Sequence, residues 1–168
     1  LNGKPAEAGA AFNGYLMANQ LAGGDINNLQ PGLDYFKKLK EAGNLTTVDV
    51  TNGTIDSGQT GVVFDWTYNQ ASYKKELKDK GVNWKYKTSP KAQVVSYYNQ
   101  AINKDAPHPA AARLWEEYLY TADAQNLWFK GGANPVLLDS MKEDGTVDQA
   151  TLKDAITIEG EPVSYTND

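Results

Sequence analysis

Short β-branched runs alternate along this chain with stretches of helical period, and that alternation is what most restricts the folds open to it. Residues 8–22 carry Phe12, Tyr15, Leu16 and Leu21 at helical spacing and stop at Gly23-Gly24. Pro31 opens a second helix with Leu33, Phe36 and Leu39 on one face, Lys37, Lys38 and Lys40 near its end and Gly43 just after it. Residues 46–50 and 61–66 read as strands, and 69–80 as a surface helix that turns Tyr73 and Leu77 inward. Further strands are predicted over 83–87 and 93–103, a helix from Pro109 to Tyr120, and another capped by Thr121 that runs to Phe129. Beyond Pro135 the pattern weakens to a short helix within 146–155 and an irregular tail over 160–168. The predicted class is α/β: a mixed sheet flanked by helices, with residues 1–92 forming one α/β segment and 93–168 a crossover strand and helical return segment.

The 168 residues, at 18.4 kDa, are enough to bury a hydrophobic core. The formal charge of −5 supplies no general attraction for a phosphate backbone, so nucleic acid is not an expected partner. No run approaches the 18 or so apolar residues that span a bilayer, and the mean hydropathy is −0.58. With no cysteine and one histidine, disulfides, thiolate catalysis and Cys- or His-rich zinc sites are excluded. His108 sits between two prolines and reads as a local turn contact. No Walker loop or glycine-rich dinucleotide fingerprint is present, and no cofactor is expected. Carboxylate-pair hydrolysis is the enzymatic alternative, but the adjacent Glu116 and Glu117 point roughly 100° apart on a helix and cannot flank one bond.

The chemistry-bearing stretch is Phe64-Asp65-Trp66-Thr67-Tyr68-Asn69, where a strand runs out into polar and aromatic residues ahead of a helix. Ligands of open α/β sheets bind beyond the carboxyl ends of strands, so Asp65, Trp66 and Tyr68 are candidate ligand contacts. The structural alternative is that Trp66 packs in the core and Asp65 caps the next helix. In Ser96-Tyr97-Tyr98-Asn99, strand alternation sends Ser96 and Tyr98 to one face and separates the two tyrosine hydroxyls, against shared iron ligation. Trp115, Tyr118 and Trp128 lie at helical spacing and are expected in the core.

The order of several segments resembles the extracellular solute-binding proteins of bacterial ABC importers, in the polyamine- and iron-type branch. The likeness is carried by Gln100-Ala101-Ile102-Asn103-Lys104-Asp105-Ala106-Pro107, the helix that follows with Leu114-Trp115, Thr121-Ala122-Asp123-Ala124-Gln125, and Gly131-Gly132-Ala133-Asn134-Pro135. Gly23-Gly24, Pro31-Gly32-Leu33-Asp34 and Gly61-Val62-Val63-Phe64-Asp65-Trp66 are similar too. The resemblance implies a type 2 periplasmic binding fold of two lobes, of which this chain is the second lobe plus the return segment toward the first. It implies capture of a small polar solute in the cleft between lobes, without catalysis, for the membrane subunits of an ABC importer. The expected location is the periplasm or the outer cell surface, with a lipid anchor in the full-length precursor, and exposed lobe surface is expected to favour a dimer. By position, residues 64–68 and 96–98 match the stretches that present ligand contacts in the family. Ser96 and Tyr98 stand where polyamine binders carry tryptophan and aspartate, which leaves the ligand class open. Glu7 and the start of the first helix are expected to line the same cleft. The alternatives are the carboxylate-dependent hydrolase and a sensory or scaffold domain that reuses the binding fold.

Overall fold

A polar side chain with no exposed surface organises the start of the chain. In the computed structural model, which describes residues 1–156 and 162–164, Asn19 lies in helix α1 (Gly9–Leu21) and is 0% exposed. Its Nδ2 donates to the carbonyls of Asp25 and Asn28, both at 3.0 Å, and its Oδ1 accepts from Gly32 N–H at 2.8 Å. One side chain thus ties α1 to the connecting loop and to the first turn of α2 (Gln30–Glu41). The approach is close enough to require glycine: a Cβ on Gly32 would stand 2.9 Å from Asn19 Cβ and 3.0 Å from Tyr15 Cε2. Pro31 starts α2, Lys38 and Lys40 lie in its last turn, and Gly43 follows at φ +70°.

Two compact units follow from the chain's contacts: residues 1–96 with the strand at Val163–Ser164, and Tyr97–Ile156. The first unit continues through α3 (Asn52–Asp56), α4 (Thr67–Glu76), a 3₁₀ turn (Lys78–Lys80) and β1 (Val94–Val95), which pairs in parallel with β2 (Val163–Ser164). Tyr15 stacks on Phe36 with centroids 6.0 Å apart, and Phe64 meets Phe36 edge-on at 6.3 Å, so aromatic rings join α1, α2 and the segment that precedes α4.

The second unit contains α5 (Pro109–Leu119), α6 (Ala122–Lys130), α7 (Leu138–Glu143) and α8 (Gln149–Asp154). Its core is Phe129, Met141 and Val147, covered by Leu137, Leu138 and Leu152 among others. Thr121 caps α6 by accepting from Ala124 N–H at 3.3 Å, and Asp148 caps α8 by accepting from Thr151 N–H at 2.8 Å. Asn126 joins the two ends of the unit, donating to Thr146 O at 2.8 Å and accepting from Asp148 N–H at 2.7 Å.

The fold is therefore mixed and helix-rich, with a small parallel pair of strands. Among the described residues, the expected mixed sheet reduces to that pair. Residues 46–50, 61–66 and 83–87 form no ladder, and of 93–103 only Val94–Val95 is paired. Composition favours extended backbone in these runs, but a ladder needs repeated bonds to a neighbouring strand, and among the described residues these segments have at most the single bond from Asn2 N–H to Phe64 O. Helix α3 is unforeseen; its signal is Thr51 and Thr54, whose side chains each accept from the other's backbone N–H at 3.2 and 3.0 Å. Trp115, Tyr118 and Trp128 are 59%, 42% and 52% exposed rather than in the core, because helical spacing marks an apolar face without specifying what covers it. Of the tail over 160–168, residues 160–161 and 165–168 lie outside the described residues.

Two outcomes follow from these anchors. Asn19→Ala leaves Gly32 N–H and two loop carbonyls without their partner and is expected to destabilise the chain by about 2 kcal/mol, read from urea midpoints. In the second unit, the backbone N–H of Thr151, then Lys130, hold Asp148 down from 3.8 to about 2. A depressed carboxyl stabilises fully above its unfolded value and loses that contribution as pH falls through about 2. Asp148→Asn keeps a capping side chain but should flatten the loss of thermal stability between pH 4 and pH 2.

Candidate functional site

The first unit holds a groove of about 410 Å³. Residues 61–65 and residues 83–87 line it as two walls, together with Met17, Thr67 and Gln70. The first wall is fixed to the helices behind it. Phe64 packs so tightly on α1 that a Cβ on Gly14 would fall 2.9 Å from Phe64 Cβ and 3.2 Å from its carbonyl oxygen. The next residue, Asp65, is half-buried and ties three parts of the chain together. Its Oδ2 accepts from Asn2 Nδ2 at 2.8 Å, and its Oδ1 accepts from Asn69 Nδ2 at 2.9 Å and from Trp66 N–H at 2.7 Å. The Tyr73 hydroxyl is raised by burial first, then by the charge of Asp65 and a hydrogen bond to it. Asp65 is thus an organising carboxylate, with its oxygens already engaged by donors of the chain.

The second wall is held to α4 by side chains. Trp84 Nε1 donates to Gln70 Oε1 at 2.8 Å, Trp84 meets Tyr73 edge-on at 6.4 Å, and Lys74 Nζ lies 5.7 Å from the centre of the Tyr86 ring. An indole nitrogen can only donate, so this bond fixes the orientation of the Gln70 amide and turns its NH₂ away from Trp84. Gln70 is 6% exposed, and its Nε2 has no hydrogen-bond partner among the described residues.

The candidate residues from the sequence do not converge on this groove. Asp65 lines it; Trp66 and Tyr68 are half-buried beside it and stack on each other at 6.5 Å with ring planes 14° apart. Glu7 is exposed and pairs with Lys4 at 3.1 Å. Ser96 is exposed just after β1, and Tyr98, 79% exposed, belongs to the second unit. Gln70, Trp84 and Tyr86 are the groove residues that sequence reasoning missed. For the two aromatics the signal is their alternation with Lys85 and Lys87; for Gln70, whose partner lies 14 residues on, there is none.

Among the described residues, no group of three or more Asp, Glu or His side chains is placed to hold a metal ion. Among them, too, no helix is long and apolar enough to cross a membrane. The chain matches no protein-family model and no curated protein.

If the Gln70 bond positions the second wall, Gln70→Leu leaves the Trp84 indole N–H without its acceptor. The expected cost is about 1 to 2 kcal/mol, with a red shift of tryptophan emission as Trp84 loosens. An unchanged melt and spectrum would show that the wall is held by other contacts.

Proposed function

We propose that this chain binds a small polar solute without transforming it, as the solute-capturing component of an ABC importer working in the periplasm or at the outer cell surface. The observation that carries the binding reading is the groove itself, lined by Trp84, Tyr86, Lys85 and Lys87 from one stretch and by Asp65 from another, with the buried Gln70 amide among its lining residues. Concave sites with apolar walls and a few fixed polar groups are where small ligands bind. The ionisable groups along it are Asp65, Lys85, Tyr86 and Lys87. The Asp65 oxygens accept hydrogen bonds from Asn2, Trp66 and Asn69, and the Tyr73 hydroxyl is bonded to them too, so the carboxylate that lines the groove is already engaged by the chain. That favours capture over catalysis. The importer partner, the two-lobed binding fold and the location rest on the resemblance in segment order.

A thermal-shift panel of polyamines, ferric citrate, sulfate, phosphonates, thiamine and dicarboxylates tests the reading. At a hundredfold excess over Kd, a ligand adds about 2.7 kcal/mol, a rise of about 5 to 10 °C for a chain of this size. A hit recovered unchanged, with its shift reduced at least twofold by Trp84→Ala, supports solute capture. A hit that is chemically converted, or one indifferent to Trp84, overturns the assignment.

A further inference from the structure

Apart from the Phe64 carbonyl, the main chain of the groove walls makes no backbone–backbone hydrogen bond among the described residues. Residues 62–66 and 82–89 run without a turn or bend. Along the second wall, half-buried Val82, Trp84, Tyr86 and Thr88 alternate with exposed Asn83, Lys85 and Lys87, the period of an extended strand. Asn2 N–H donates to Phe64 O at 3.3 Å and Val82 N–H to Leu77 O at 3.3 Å, but no backbone–backbone bond reaches residues 83–87 among the described residues. The second wall is held entirely by its side chains, through Gln70, Tyr73 and Lys74. Water satisfies such groups while they are exposed, yet they remain a template for another strand.

The geometry points to a short acidic peptide, bound extended between the two walls, as the solute; this rests on the solute-binding reading of the same groove. The second wall contributes five residues, about 16 Å if extended, and the first contributes residues 62–65 beyond the bend at Gly61, a match for a peptide of about five or six residues. A peptide backbone repeats donors and acceptors at the period of the free main chain, which a polyamine or an inorganic anion does not. The side chains on the second wall then set the sequence preference. Trp84 and Tyr86 share one face and suit β-branched partners, whereas Lys85 and Lys87 share the other and suit carboxylates. The surrounding chain has the same bias, with seven lysines against Glu76 and Asp79 between residues 74 and 91. The matching ligand alternates apolar and acidic residues.

The test is an amide-resolved NMR titration of the full chain with an acetylated and amidated hexapeptide that alternates valine and glutamate. Two control peptides carry methyl groups on the odd or on the even backbone nitrogens, a third has lysine for glutamate, and citrate and spermidine are titrated in parallel. The expected result is shifts confined to Val62, Val63 and residues 83–87, slowed amide exchange at one alternating set of the second wall (Trp84 and Tyr86, or Asn83, Lys85 and Lys87), and at least tenfold weaker binding of each control peptide. Methylation of either set should weaken binding because alternate residues of an inserted strand pair with opposite walls. The double variant Lys85→Glu, Lys87→Glu, at exposed positions, should reverse the preference toward the lysine peptide. Equal binding of the methylated peptides, or shifts outside the groove, would overturn the inference. If citrate or spermidine perturbs the groove and the hexapeptide does not, solute binding stands and the peptide falls. If none of them does, both fall.

Discussion

Burying Asn19 completely makes every one of its polar groups a constraint, because an amide taken out of water without partners costs more than its bonds return. Its three bonds to the 25–28 loop and the start of α2 are satisfied together only at one relative placement of the two helices. That placement sets Phe36 against Tyr15, and Phe36 in turn meets Phe64, a residue of the first groove wall. The position of the wall is therefore inherited from a hydrogen-bonded side chain some forty-five residues earlier in the chain. Apolar packing alone would allow small slips between α1 and α2; the amide, with its directional bonds, and the missing Cβ of Gly32 do not.

The two walls solve different problems. The first is fixed by packing and by the Asp65 knot, in which Asn2, Trp66 and Asn69 converge on one carboxylate. The second is tethered to α4, by the Trp84 indole on Gln70 and Tyr73 and by Lys74 of that helix over the Tyr86 ring. A segment held through its side chains keeps its main-chain groups for something else, whereas a strand inside a ladder has already committed them. The division of labour follows from period two: Trp84 and Tyr86 face the helix while Lys85 and Lys87 face water.

Much of the helical framework is legible in the residues, because caps and stops are local signals. Pro31, Gly43, Pro109 and Thr121 mark their boundaries through interactions spanning three or four residues. The sheet is less legible, since a strand is defined by its neighbour: Val94–Val95 is paired only because Val163–Ser164 comes alongside from far along the chain. The same applies to the site. Asp65 is visible as a carboxylate ahead of a helix, but its occupation by Asn2 crosses 63 residues and leaves no trace in the local pattern. The Trp84–Gln70 bond is a tertiary fact as well, so the residue that positions the second wall is the one sequence periodicity passes over.

An overall charge of −5 counts against an acidic ligand at long range, but charge acts over distance, and distance favours the local arrangement. At physiological ionic strength the Debye length is about 8 Å, so acidic side chains farther off on the exposed surface are largely screened from the groove. Within that range lie Lys85 and Lys87, which line it, and the Asp65 carboxylate, whose oxygens are engaged by three donors. Lysines 74 and 75 in the last turn of α4 also offset the partial negative charge of that helix end, which would otherwise oppose an anion nearby. On the proposed reading, the acidic remainder of the chain therefore weakens long-range capture of an anion, while the local field at the groove is set by a basic stretch of fewer than twenty residues.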